Sequence, residues 1–82
     1  MSSIMTSERF ARYGFEISGA QLPDSDKWVP YLEIRFYSHD QVDGEVIFPM
    51  QRVVKEDVFE SEDEAITEAR RFAMEHVSSG EF

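Results

Sequence analysis

Hydrophobic and polar positions alternate through the middle of this chain and shift to helical spacing in its last third. Tyr13, Phe15 and Ile17 fall on one side of a segment whose other side is Gly14, Glu16 and Ser18. A period of two marks a strand with one buried and one wet face. Gly19 ends it, and Pro23-Asp24-Ser25-Asp26 reads as a turn-rich loop. Trp28 to Tyr37 repeats the pattern more strongly. Leu32, Ile34 and Phe36 alternate with Tyr31, Glu33, Arg35 and Tyr37. Pro30 has no N–H to donate, which places it at a strand start or on a sheet edge.

The segment from Ser38 to Gly44 is the next turn, closed by Asp43-Gly44, a pair suited to hairpins because glycine accepts positive φ. Glu45 to Phe48 returns as a third strand. Pro49 interrupts it, and Gln51 to Val54 either resumes the pairing after a bulge or forms a short fourth strand. By alternation, Val46 and Phe48 belong to the core side and Ile47 to the opposite side, with Tyr31 and Tyr37.

Ala65, Ile66, Ala69, Phe72, Ala73 and Val77 then recur at intervals of three and four, the signature of an amphipathic helix from about Glu62 to Val77. Ser61 and Glu64 have the spacing of a capping box. Glu62, Asp63 and Glu64 put negative charge in the first turn, where the helix dipole favours it. Ser78-Ser79-Gly80 stops the helix, with Gly80 suited to a left-handed cap. Alanines at 65, 69 and 73 make a narrow ridge that lets the helix approach a sheet closely.

These elements predict a two-layer α+β fold: an antiparallel sheet of three to four strands, covered on one face by a C-terminal helix, in β-β-β-α order. Residues 1–82 form one domain, with residues 1–9 a flexible tail and 78–82 a frayed end. Thr6 or Ser7 is placed to cap a short helical turn through Arg9, Phe10 and Ala11. The expected core is Phe15, Ile17, Leu32, Ile34, Phe36, Val46, Phe48, Ala65, Ile66, Ala69, Phe72 and Ala73. A domain of 82 residues buries only about 60–65% of its unfolded surface. There are no cysteines to staple it, so its eleven aromatic rings (seven Phe, three Tyr, one Trp) supply much of the apolar area.

Charge narrows the functional classes. Seventeen acids face eight lysines and arginines, a net charge of −9. Nucleic-acid backbones and anionic membranes are recognised by the opposite balance. Neither is an expected partner. No run of apolar residues reaches the roughly 18 needed to span a bilayer, and no basic-then-apolar leader opens the chain. A cytoplasmic location is therefore expected, and so is a protein partner, for which a basic surface would suit the charge.

Catalytic and metal-binding patterns are weak. His39 and His76 have no metal-ligand spacing, and no Walker-type, G-x-G-x-x-G or G-x-S-x-G segment occurs. The absence of cysteine removes thiolate chemistry. No enzyme activity, cofactor or metal is expected. Arg70 and Arg71 are the only adjacent basic pair; Arg71 can pair with Glu75, and a contact from an arginine of this pair to an acid on the sheet is expected rather than ligand binding. The candidate interaction surface is Trp28, Tyr31, Glu33, Arg35 and Tyr37 on the central strand, with Asp24, Asp26, Asp40 and Asp43 in the loops.

The run Phe59-Glu60-Ser61-Glu62-Asp63-Glu64-Ala65-Ile66-Thr67-Glu68-Ala69 resembles the strand-to-helix junction of HicB-type antitoxins, small bacterial β-β-β-α proteins. The motif combines a cap with a small-residue helix face. That resemblance implies an antitoxin-like inhibitor of a basic partner. An αβββα order is similar to double-stranded-RNA-binding domains, but their basic helix start is replaced here by Glu62, Asp63 and Glu64. Three functional readings follow. The first is a noncatalytic protein-interaction or regulatory module, with a homodimer through the open sheet face as one form. The second is an antitoxin-like or nucleic-acid-mimicking inhibitor. The third is a small-molecule-binding domain or enzyme with a pocket between helix and sheet.

Overall fold

The structure, a computed structural model, describes residues 5–38 and 44–80. Four strands and one helix follow in order: β1 (Met5–Phe10), β2 (Tyr13–Gln21), β3 (Trp28–Phe36), β4 (Glu45–Arg52) and α1 (Glu62–Ser78). The strands form one antiparallel sheet in the order β1-β2-β3-β4. The two-layer α+β architecture is as the hydrophobic pattern predicts.

The N-terminal segment differs from expectation. Residues 5–10 were expected as loose tail and helical turn, and they form β1, paired in unbroken register from Met5↔Ser18 to Phe10↔Tyr13. The turn behind it, Ala11-Arg12, lacks the Asn-Gly or Asp-Gly signature of a tight hairpin. Ala11 supplies the bend by taking φ of 54°, an uncommon conformation for a residue with a Cβ.

Register assigns the two faces. Phe15↔Ile34, Ile17↔Leu32 and Gly19↔Pro30 point towards the helix. Gly14↔Arg35, Glu16↔Glu33 and Ser18↔Tyr31 point to the open face. The core is Phe15, Ile17, Leu32, Ile34 and Val53 against Ile66, Ala69 and Ala73. The alanine ridge does permit a close approach. A Cβ added to Gly19 would stand 3.2 Å from Glu62 Cγ and 3.4 Å from the Ala65 Cβ.

β4 is one strand through Pro49, carrying register shifts opposite Leu32/Ile34 and Ile34/Arg35. Pro49 is accommodated because β4 is an edge. The second shift corrects two expected positions. Ile34 faces Phe48, but Arg35 faces Val46, so Ile47 is an extra residue. Val46 therefore lies on the open face at 42% exposure, and Ile47 packs against the core. Phe36, Phe48 and Phe72, expected in the core, are half-buried: Phe48 and Phe72 pack at its margin with rings 6.1 Å apart, and Phe36 packs edge-on against Tyr13. Val29 and Val53 are buried without having been expected there.

The helix begins as predicted, one residue longer at its far end. Ser61 has extended backbone and its Oγ accepts from the Glu64 N–H at 3.2 Å. The returning arm of the box lands one residue earlier than expected, the Glu60 N–H donating to Glu64 Oε1 at 3.0 Å. Gly80 sits at φ 81°, and its N–H donates to the Val77 carbonyl.

Candidate interaction surfaces

The open face of the sheet gathers four of the expected residues. Tyr31, Glu33 and Arg35 lie along it, because residues at spacing two on β3 share a face, and Tyr37, one residue past the strand, lays its ring over Gly14 on the same face. Its charges are largely matched within the face. The Arg35 Nε donates to Glu33 Oε2 at 2.8 Å. The Ser7 Oγ donates to Glu16, 2.8 Å and 2.9 Å from its two carboxylate oxygens. Glu16 and Glu33 stand directly opposite one another, and these two contacts offset that like-charge pairing. The Arg9 guanidinium lies 3.8 Å from the centre of the Tyr37 ring. Tyr37 lies over glycine: Cβ atoms built at Gly14 and Gly44 would fall 2.8 Å and 2.7 Å from its ring carbons. Gly44 also needs its left-handed φ of 76°.

Trp28 does not join this row. It pairs with Gln21, on the helix side by register, and exchanges two backbone hydrogen bonds with Phe59 at 2.7 Å and 2.8 Å. That exchange anchors the chain just before the helix. Asp40 and Asp43, with His39, lie outside the described residues.

Acidic charge concentrates at the other end of the sheet. The β2–β3 loop, carrying Asp24 and Asp26, is closed by the Leu22 N–H donating to the Lys27 carbonyl at 2.9 Å. Lys27 reaches Glu60, which together with the charges of Asp26 and Glu64 raises the lysine pKa above its ordinary value. Three carboxylates thus act on one ammonium group. Beside them lies a shallow hollow of about 300 Å³, lined by Phe59, Asp63, Glu64, Thr67 and Glu68. Asp63 and Glu64 are adjacent on the helix, Glu68 lies about one turn beyond Glu64, and all three line the hollow together with Phe59. None of the five lining residues is a cation.

The sequence pattern does not show this hollow; of its residues it marks only Asp63 and Glu64, in the acidic first turn of the helix. The signal was Phe59 preceding an acidic first turn: the backbone exchange with Trp28 holds that ring beside the helix. A second hollow, of about 260 Å³, lies between the β4–α1 connector and the helix, over Val54 and Phe72, with Glu56, Glu68, Arg71 and Glu75 around it. Val54 takes φ of 51° there. Arg52 fastens the connector, its Nη2 donating to the carbonyls of Lys55 and Asp57 at 3.3 Å each.

Of the two helix arginines, Arg70 finds the expected sheet acid. Its Nε lies 2.8 Å and 2.9 Å from the two Glu8 oxygens, and its Nη2 is 2.6 Å from Oε2. These hydrogen bonds hold the Glu8 carboxyl below its ordinary range, against an opposing effect of partial burial. Arg71 lies 3.5 Å from Glu68 and 3.6 Å from Glu75. His76 stacks on Phe72 with ring centres 4.1 Å apart. Among the described residues, no group of three His, Asp or Glu side chains is arranged to hold a metal ion, and no helix is long and apolar enough to cross a membrane.

No family model, characterised protein or solved structure matches this chain significantly.

Proposed function

We propose that this chain is a noncatalytic protein-interaction module that engages a basic protein surface through the end formed by the β2–β3 loop and the start of α1. The observation that carries this reading is the hollow lined by Phe59 together with Asp63, Glu64 and Glu68. An arginine or lysine side chain fits such a place. Its charge meets carboxylates, its apolar stem covers the ring, and a guanidinium adds attraction to the aromatic face. The open sheet face suits a basic partner less well, because it carries Arg9 and Arg35 among its acids, whereas no cation lines the hollow.

An inhibitor that covers a basic active site is the sharper form of the same reading, and the net charge of −9 favours it. The reading as an enzyme with a general acid near Arg70 draws no support from Glu8. Its pKa moves down, whereas a general acid needs a carboxyl pushed up.

The test is a titration of isotope-labelled protein with a short arginine-rich peptide, followed by amide chemical shifts. The expected shifts centre on Phe59, Asp63, Glu64, Thr67 and Glu68, and fade in high salt. Asp63→Asn with Glu68→Gln should remove most of them. Shifts centred on Tyr31 and Arg35 would move the site to the open face, and no localised shifts would end the proposal.

A further inference from the structure

The two outer strands of the sheet are not equally guarded. An edge strand presents unpaired N–H and C=O groups, and folded proteins blunt such edges with proline, bulges or charge. β4 has Pro49 and two register shifts. β1 has neither proline nor register shift: it pairs without a break for six residues against β2, and its two charges, Glu8 and Arg9, are of opposite sign. Met5, Ser7, Arg9 and Phe10 on it are exposed. The charge around this edge is also unlike the rest of the molecule. Arg9, Arg12 and Arg70 stand with Glu8 and Glu16 at β1 and its hairpin, so acids do not prevail there in a chain of net charge −9.

We propose that β1 is the seat of a second copy of this chain, the two β1 strands pairing antiparallel about a two-fold axis through Ser7 to make one eight-stranded sheet. Opposed residues in an antiparallel pair share a face, so a symmetric pairing must be centred on a residue. Centring on Glu8 sets it against the partner's Glu8, and centring on Arg9 sets it against the partner's Arg9, both like-charge pairs. Centring on Thr6 leaves only three of the described strand residues paired. Centring on Ser7 pairs five. Thr6 meets the partner's Glu8, hydroxyl to carboxylate, and Met5 meets the partner's Arg9, an apolar side chain against an aliphatic stem. Ser7 meets the partner's Ser7. Self-association thus occurs where two strongly acidic copies repel least, and leaves both acidic ends free.

The chain contains no cysteine, which makes cross-linking a clean test. Mass in solution is measured across a concentration series, and Ser7→Cys and Arg9→Cys are oxidised in parallel. Ser7→Cys should give a disulfide-linked dimer, since opposed residues stand within disulfide reach. Arg9→Cys should not, because the two copies of residue 9 lie about 13 Å apart in this register. Thr6→Glu, facing the partner's Glu8, should weaken association by about tenfold, since symmetry applies the repulsion twice. Thr6→Arg, a change of similar bulk, should preserve or tighten it. A 9.6 kDa mass at every concentration would overturn the proposal. So would a dimer in which Arg9→Cys links as readily as Ser7→Cys, or one indifferent to charge at residue 6.

Discussion

Arg70, in the middle of the helix, grips both carboxylate oxygens of Glu8, sixty-two residues earlier on the outer strand. The helix lies over β2 and β3, so β1 reaches it through this fork of hydrogen bonds. Guanidinium and carboxylate match geometrically, which fixes the lateral position of the helix as well as adding energy.

Removing either partner should loosen β1 before it unfolds the domain. Both side chains are partly exposed, Arg70 at 41% and Glu8 at 28%, so the pair belongs near the surface scale, about 1 kcal/mol. Arg70→Ala and Glu8→Gln should each lower the urea midpoint modestly and speed hydrogen exchange in β1 more than in β3. The Glu8 pKa is depressed by folding, so its contribution is complete above the ordinary value of 4.5 and fades as pH falls through the lower folded value. The stability difference between the wild type and Glu8→Gln should be largest near neutral pH and shrink as pH falls below 4.5.

The bulge in β4 makes neighbouring residues answer differently to the same change. Val46→Lys should cost little, within about 0.5 kcal/mol, since the side chain is already exposed on the open face. Ile47→Lys should cost about 1–3 kcal/mol, because that residue packs against the core. Simple alternation from Phe48 predicts the reverse order, and thermal melts of the two variants decide between them.

Tyr37 and Gly14 should be energetically coupled. A methyl group at residue 14 would meet the Tyr37 ring at 2.8 Å, so Gly14→Ala must push the ring off its seat and away from Arg9. The expected loss is about 1 kcal/mol with tyrosine present and close to zero in a Tyr37→Ser background. Equal effects in both backgrounds would mean that the ring does not lie over the glycine.

Ser61→Ala should destabilise the helix start by about 1 kcal/mol, and Ser61→Asp should restore most of it, because either oxygen accepts from the Glu64 N–H. Circular dichroism melts of the pair distinguish lost capping from lost packing.

What could be read in the sequence, and what could not, follows from how locally each feature is encoded. The helix, its cap and its alanine ridge were legible because capping and 3.6-residue spacing are local signals. β2 and β3 were legible through alternation. β1 was not, because Met5-Thr6-Ser7-Glu8-Arg9-Phe10 sits on an edge and places the polar Glu8 on its helix side, where Arg70 receives it. Val46 and Ile47 exchanged faces because one bulged residue reverses every position on its far side. The row Tyr31, Glu33, Arg35 and Tyr37 was found by period alone. The Phe59 hollow was not, since it depends on the backbone exchange between Trp28 and Phe59, thirty-one residues apart in the chain.

The most direct test of the interaction reading is affinity capture from native lysate with wild type and with Asp63→Asn/Glu68→Gln, at low and high salt. The account predicts a basic protein retained by wild type in stoichiometric amount, released by high salt, and absent from the variant. A partner that binds both forms equally and survives high salt would contradict it and place recognition on another surface.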